Sequence, residues 1–171
     1  DRELEMEEDA DFDLVAMFHR EADEAPVRIN EVSAGNDIYV SDHFKRDDWM
    51  ELYNTTDKDI DIEGMYLSDN ANKPQKYKIQ PAEGISTIVP ANGRLSVWAD
   101  GREQKSQLHA PFKLANADGS VLTLQSADGS WKDVIRYDAH DGKETFGRYP
   151  DGANHVSVMS VPTIGKSNIL S

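Results

Sequence analysis

The chain contains no cysteine, which removes disulfides, thiolate metal sites and cysteine nucleophiles together. Its fold must stand on its core alone. No apolar run approaches the ~20 residues of a membrane-spanning helix, and the apolar stretches are all strand-sized. Bases are few, 18 Lys and Arg against 32 Asp and Glu, and they form no cluster. A nucleic-acid backbone is held by clustered bases that displace counterions, so a nucleic-acid partner is excluded. The same deficit argues against binding to an anionic membrane surface, and no membrane insertion is expected. Helical periodicity is missing after residue 25. His-Glu-x-x-His and Gly-x-Ser-x-Gly are missing too. The five histidines (His19, His43, His109, His140, His155) scatter over expected loops without a repeated short spacing. Nothing local sets a nucleophile beside a base, so no catalytic residue, no enzyme activity and no cofactor are assigned.

What is present begins with acid. Eleven acids and only two bases lie in the first 24 residues of a chain whose formal net charge is −14. Within this leader Leu4 and Met6 alternate with acids, as do Phe12, Leu14, Ala16 and Phe18 with their neighbours, which predicts two short strands around an acidic turn. A helix over Asp11 to Arg20 is the competing reading, because Ala, Leu, Met and Glu are good helix formers. The chain starts at Asp1 without an initiator Met and reads as a piece of something longer. The expected organisation is an acidic strand-forming leader, 1–25, ending a preceding small β module, and one domain over 26–171. A chain of 171 residues is long enough for such a domain with a proper core.

From Val27 onward the pattern is β throughout. VRINEVSA, DDWMELYN and IDIEGMYLSDN are followed by KYKI, ISTIV, RLSVWA, VLTLQS, KDVIRY and HVSVMS, with turn signals at Asn92-Gly93, Asp118-Gly119, Asp128-Gly129, Asp141-Gly142 and Asp151-Gly152. Gly64 suggests a bulge. Short strands with turns every ten or so residues predict an all-β antiparallel sandwich or barrel.

In DDWMELYN, Met50 and Leu52 share one strand face and Trp49, Glu51 and Tyr53 the other. RLSVWA repeats the arrangement, with Leu95, Val97 and Ala99 opposite Ser96 and Trp98. If both aliphatic faces point inward, the aromatics lie outside, where Trp49, Glu51, Tyr53 and Trp98 could bind a sugar or a partner protein. The alternative is that loops such as 35–46 fold over them as a satellite cluster. Glu51 needs a basic partner, for which Arg148 is one option. Asp57, Asp59 and Asp61 offer carboxylates to calcium, but they lack the loop length and distal Glu of an EF-hand and alternate with Ile60 and Ile62 like a solvated strand face. No metal is assigned there.

In order and spacing, INEVSAGN (29–36), DDWMELYN (47–54), IDIEGMYLSDN (60–70), VPANGRLSVWADG (89–101), LHAPFKLANADGSVLTL (108–124), FGRYPDG (146–152) and VPTIGKSN (161–168) resemble the lamin tail domain, most closely its bacterial branch. The resemblance implies an immunoglobulin-like β-sandwich acting as a non-catalytic interaction or spacer module. It further implies a bacterial secreted or cell-surface multidomain protein, extracellular in location, with a protein or surface glycan as partner. The leader is similar to strands that precede such tails in proteins carrying a spore-coat-protein-H-like kinase domain upstream. A carbohydrate-binding module using the outer-face aromatics and an enzyme fragment are the alternative readings.

Overall fold

The computed structural model describes residues 25–116 and 120–169. The expected leader strands, His19 and the Asp118-Gly119 turn lie outside these residues. Among the described residues there is no helix. Twelve strands run in chain order: β1 (Val27–Ser33), β2 (Trp49–Asn54), β3 (Ile60–Asp61), β4 (Tyr66–Ser68), β5 (Tyr77–Lys78), β6 (Ile88–Val89), β7 (Arg94–Ala99), β8 (Leu108–Ala110), β9 (Ser120–Gln125), β10 (Lys132–Tyr137), β11 (Thr145–Arg148) and β12 (Val156–Met159).

They form a six-stranded sheet ordered β12-β11-β1-β2-β7-β8, a four-stranded sheet ordered β10-β9-β4-β5, and the small pair β3-β6. This is the expected all-β, immunoglobulin-like antiparallel sandwich, with one departure. β7 and β8 run parallel, Val97 opposite Leu108, because the chain crosses from the end of one to the start of the other through the loop at 100–107. Strands β8 and β11 carry no alternation long enough to mark them in sequence.

The core lies between the two larger sheets. Val27, Ile29, Val32, Met50, Leu52 and Val97 come from one side, and Leu67, Leu122, Leu124, Ile135 and Tyr137 from the other. The expected inward face of β2 is therefore correct. On β1 the inward residues change phase, from Val27 and Ile29 to Val32 and Ala34, all of them fully buried. A bulge between Ile29 and Glu31 causes the shift, since one extra residue turns a period of two into three. The bulge sits here and not at Gly64. That glycine occupies a tight turn closed by the Met65 amide on the Ile62 carbonyl, at φ 84°.

A bulge frees backbone groups that must find other partners. The Ile29 amide donates to Asp133 Oδ2 at 2.7 Å, and the Ile29 carbonyl accepts from Arg148 Nε at 2.9 Å. Arg148 also donates to Asp133 Oδ1 at 3.0 Å. Asp133 and Arg148 are 4% and 3% exposed, so a charged pair bolts β10 of one sheet to β1 and β11 of the other. Arg148, a candidate partner for Glu51, is committed to Asp133 instead.

Candidate functional site

The face of the six-stranded sheet turned away from the core holds the residues singled out in sequence. Register sets Trp49 opposite Trp98, Glu51 opposite Ser96 and Tyr53 opposite Arg94. On the other flank Glu31 stands opposite Glu51, so two carboxylates meet across neighbouring strands. A solvated face would tolerate this arrangement, but this one is covered. Trp49 and Glu51 are 0% exposed and Trp98 is 2% exposed.

The cover has two parts. Loop 36–46 brings Tyr39 edge-on to Trp49, ring centroids 5.9 Å apart, and the Tyr39 hydroxyl donates to the Pro162 carbonyl at 3.0 Å. The final segment, 161–168, then crosses the sheet. Its Thr163 amide and hydroxyl donate to Glu31 at 3.0 and 2.8 Å, and its Gly165 amide donates to Glu51 Oε2 at 2.5 Å. Asn168 Nδ2 donates to the Asn30 carbonyl at the bulge, at 2.9 Å, and to the Arg148 carbonyl at 2.7 Å. Trp98 is held separately by its Nε1 donating to Gln107 Oε1 at 2.8 Å. Of the two sequence readings, the structure takes the packed one. Neither tryptophan presents an open ring face for a sugar to stack on. Tyr53 is half-buried, with the Arg94 guanidinium 5.0 Å over its ring and Gly152 packed so close that a Cβ there would lie 3.2 Å from it.

Glu51 carries the tension of this arrangement. Burial pushes its carboxyl up to about 8, opposed by the Gly165 amide and reinforced by the charge of Glu31. Its other oxygen, Oε1, makes no hydrogen bond and lies 4.0 Å from Arg94 Nε, which is likewise unbonded. That separation is too long for a hydrogen bond. Arg94 is drawn instead to Asp151, through its NH2 group. Burial also raises the carboxyl of Glu31, against the lowering effect of Thr145 and Thr163.

The remaining acids of interest do not converge. Asp59 accepts the Ala91 amide at 2.9 Å, and Asp61 accepts the Glu63 amide at 2.9 Å and the Thr87 hydroxyl at 2.6 Å. Asp57 is exposed. Among the described residues, the group that does converge is Asp42, His43 and His109, with one ligand atom from each lying within 4.8 Å of the others. His109 on β8 has a wholly buried side chain and is gripped from both ends, Nδ1 by Asp100 at 2.9 Å and Nε2 by Asp42 at 2.6 Å. His43 stands edge-on to it at 5.0 Å, with its own Nε2 on the Glu103 carbonyl at 2.9 Å. Desolvation works to raise the Asp42 carboxyl, but the Ser106 amide, the His109 ring and the Gln107 amide together hold it down at about 2. Sequence reading missed this cluster because its members are up to 67 residues apart. The one local signal was Asp42 beside His43.

Comparison with protein families decides the identity of the fold. The family model described as Lamin Tail Domain matches residues 20–139. The chain belongs to the lamin tail domain family. That family consists of immunoglobulin-like, non-enzymatic domains, in agreement with the sandwich described above. Lamin tail residues here include the whole of β1 to β10, whereas β11, β12 and the covering segment follow the matched region. No curated protein and no solved structure matches the chain.

Proposed function

We propose that this lamin tail domain is a non-catalytic interaction module of a bacterial secreted or cell-surface multidomain protein, and that loop 36–46 forms its contact surface. The observation that carries the reading is Phe44. The residue is 80% exposed and its φ is +62°, a left-handed conformation that a bulky residue adopts at a cost. The loop that presents it is held in shape by its own hydrogen bonds. The Ser41 amide bonds the Lys45 carbonyl at 2.8 Å, the Phe44 amide bonds the Ser41 carbonyl at 2.9 Å, and Asn36 Nδ2 bonds the Tyr39 and Asp47 carbonyls. Ile38 and Val40 on the same loop are 39% and 49% exposed. Strained, preorganised loops with an aromatic tip are where binding function concentrates. The secreted or surface setting is supported by the family resemblance.

A photo-crosslinking residue at position 44 of the full parent protein in its native host tests this, with position 58, an exposed lysine on the Asn54–Ile60 turn, as control. Discrete adducts from 44 and none from 58 are expected, in the envelope or culture fluid. Equal labelling from both positions, no labelling, or recovery only from the cytosol would count against it.

A further inference from the structure

We propose that Asp42, His43 and His109 bind one divalent transition cation of the zinc class, with Asp100 as the carboxylate that orients His109. The first support is the pairing of each ring's second nitrogen. Histidines that ligate metals donate their other N–H to a carboxylate or carbonyl, which fixes tautomer and ring plane. His109 does so from Nδ1 to Asp100, and His43 does so from Nε2 to the Glu103 carbonyl. A carbonyl only accepts, so the neutral His43 ring keeps its lone pair on Nδ1. His109 turns Nε2 toward Asp42, where it offers a lone pair to a cation that displaces the proton between them.

The second support is the readiness of Asp42. Its Oδ2 is fixed by the amides of Ser106 and Gln107 at 2.7 and 2.8 Å and by the Ser106 hydroxyl at 3.2 Å, which aims Oδ1 at His109. Oδ1 and Nε2 stand 2.6 Å apart, a hydrogen-bonding distance that requires a proton between them. Tetrahedral zinc ligands at about 2.0–2.1 Å lie about 3.3 Å from one another. Seating the cation therefore replaces that proton and opens the pair by less than an ångström. Two imidazole nitrogens and one carboxylate oxygen suit zinc and its neighbours, whereas calcium takes oxygen alone. Asp42 and His43 are only half-buried, which leaves a path of entry beside the buried His109. The ion would clamp loop 36–46 to β8.

The test is thermal melting and titration calorimetry of the whole chain with zinc chloride, reversed by EDTA, with calcium chloride in parallel. A raised midpoint with one ion bound per chain is expected for zinc and none for calcium. Asp100→Asn should weaken zinc about tenfold to a hundredfold, and His43→Ala more than that. His43 lies outside the core, so its variant is expected to fold and remain informative. An unchanged midpoint in the wild-type protein would reduce the cluster to an internal ion pair and end the proposal. So would a His43→Ala protein that binds as tightly as wild type, which would place the ion on other groups such as the acids of residues 1–24.

Discussion

Leu52 and Glu51 are adjacent on β2 and both are completely buried, yet they are buried by different means. Leu52 meets the opposite sheet, one of many aliphatic residues whose removal from water drives the two layers together. Glu51 meets a single irregular segment, which satisfies one of its oxygens and leaves the other without a hydrogen bond. Around Leu52 the inner interface is held by area, with the Asp133–Arg148 pair as a polar bolt beside it, and the outer one by a small set of aimed hydrogen bonds. Burial alone therefore says little about stability, because a buried carboxylate contributes only as much as its partners return.

The largest expected effect is at the polar bolt between the sheets. Arg148→Met leaves Asp133 buried beside an apolar side chain, and loss of one member of such a pair costs about 3–5 kcal/mol. Urea unfolding measures it, and a loss below about 1 kcal/mol would mean that Asp133 finds other partners. Leu52→Ala should cost about 2–5 kcal/mol through transfer and cavity terms. A change under about half a kcal/mol is what surface sites give and would reverse the two faces of β2.

Glu51→Gln should move stability the other way. The folded-state value of Glu51 is raised from 4.5 to about 8. Between those limits the folded protein holds a proton that the unfolded chain has released. Its contribution is fully present at low pH and is lost as pH rises through about 8. A glutamine keeps the acceptor for Gly165 without the charge. The variant should match wild type near pH 4 and exceed it by several kcal/mol, at most about 5, above pH 8, since one pKa unit is worth about 1.4 kcal/mol. Parallel melting curves for the two proteins at both pH values would show that Glu51 is not the strained group. The smallest expected effect is at Phe44, where substitution by serine should shift stability by no more than about 0.5 kcal/mol while abolishing crosslinks from a photo-reactive residue moved to exposed position 40 on the same loop.

The inner half of this comparison was legible in the sequence. Alternation places Met50, Leu52, Val97 and Ala99 inward, and paired turn residues separate the strands, because a pleated sheet with one buried face imposes a period of two. The same rule fails on β1, where a bulge shifts the phase, and on β8 and β11, which are too short to show a period. The outer half was not legible. Trp49, Glu51 and Trp98 look solvent-facing by alternation alone, yet loop 36–46 lies against Trp49, Gln107 holds Trp98, and the return of 161–168 more than a hundred positions after β2 covers Glu51. VPTIGKSN carries family resemblance but no periodicity that would announce a cover. The His109 cluster was hidden for the same reason, since its contacts join residues from three separate loops and strands. Alternation reports which way a side chain points and is silent on what later lies over it.

The distance along the chain between β2 and its cover bears on how the protein is made. Gly165 follows Glu51 by 114 residues, an interval of about 6–23 s at ordinary rates of translation. Late in that interval, once Ser120–Gln125 and Lys132–Tyr137 can close the inner face, the outer face of β1 and β2 still waits for its cover. Glutamates at 31 and 51 make that provisional surface repel its like, in the way inward-pointing charges guard sheet edges from mispairing. The carboxylates that strain the finished domain thus act as a temporary solubilising coat, discarded when the last segment emerges and closes over them.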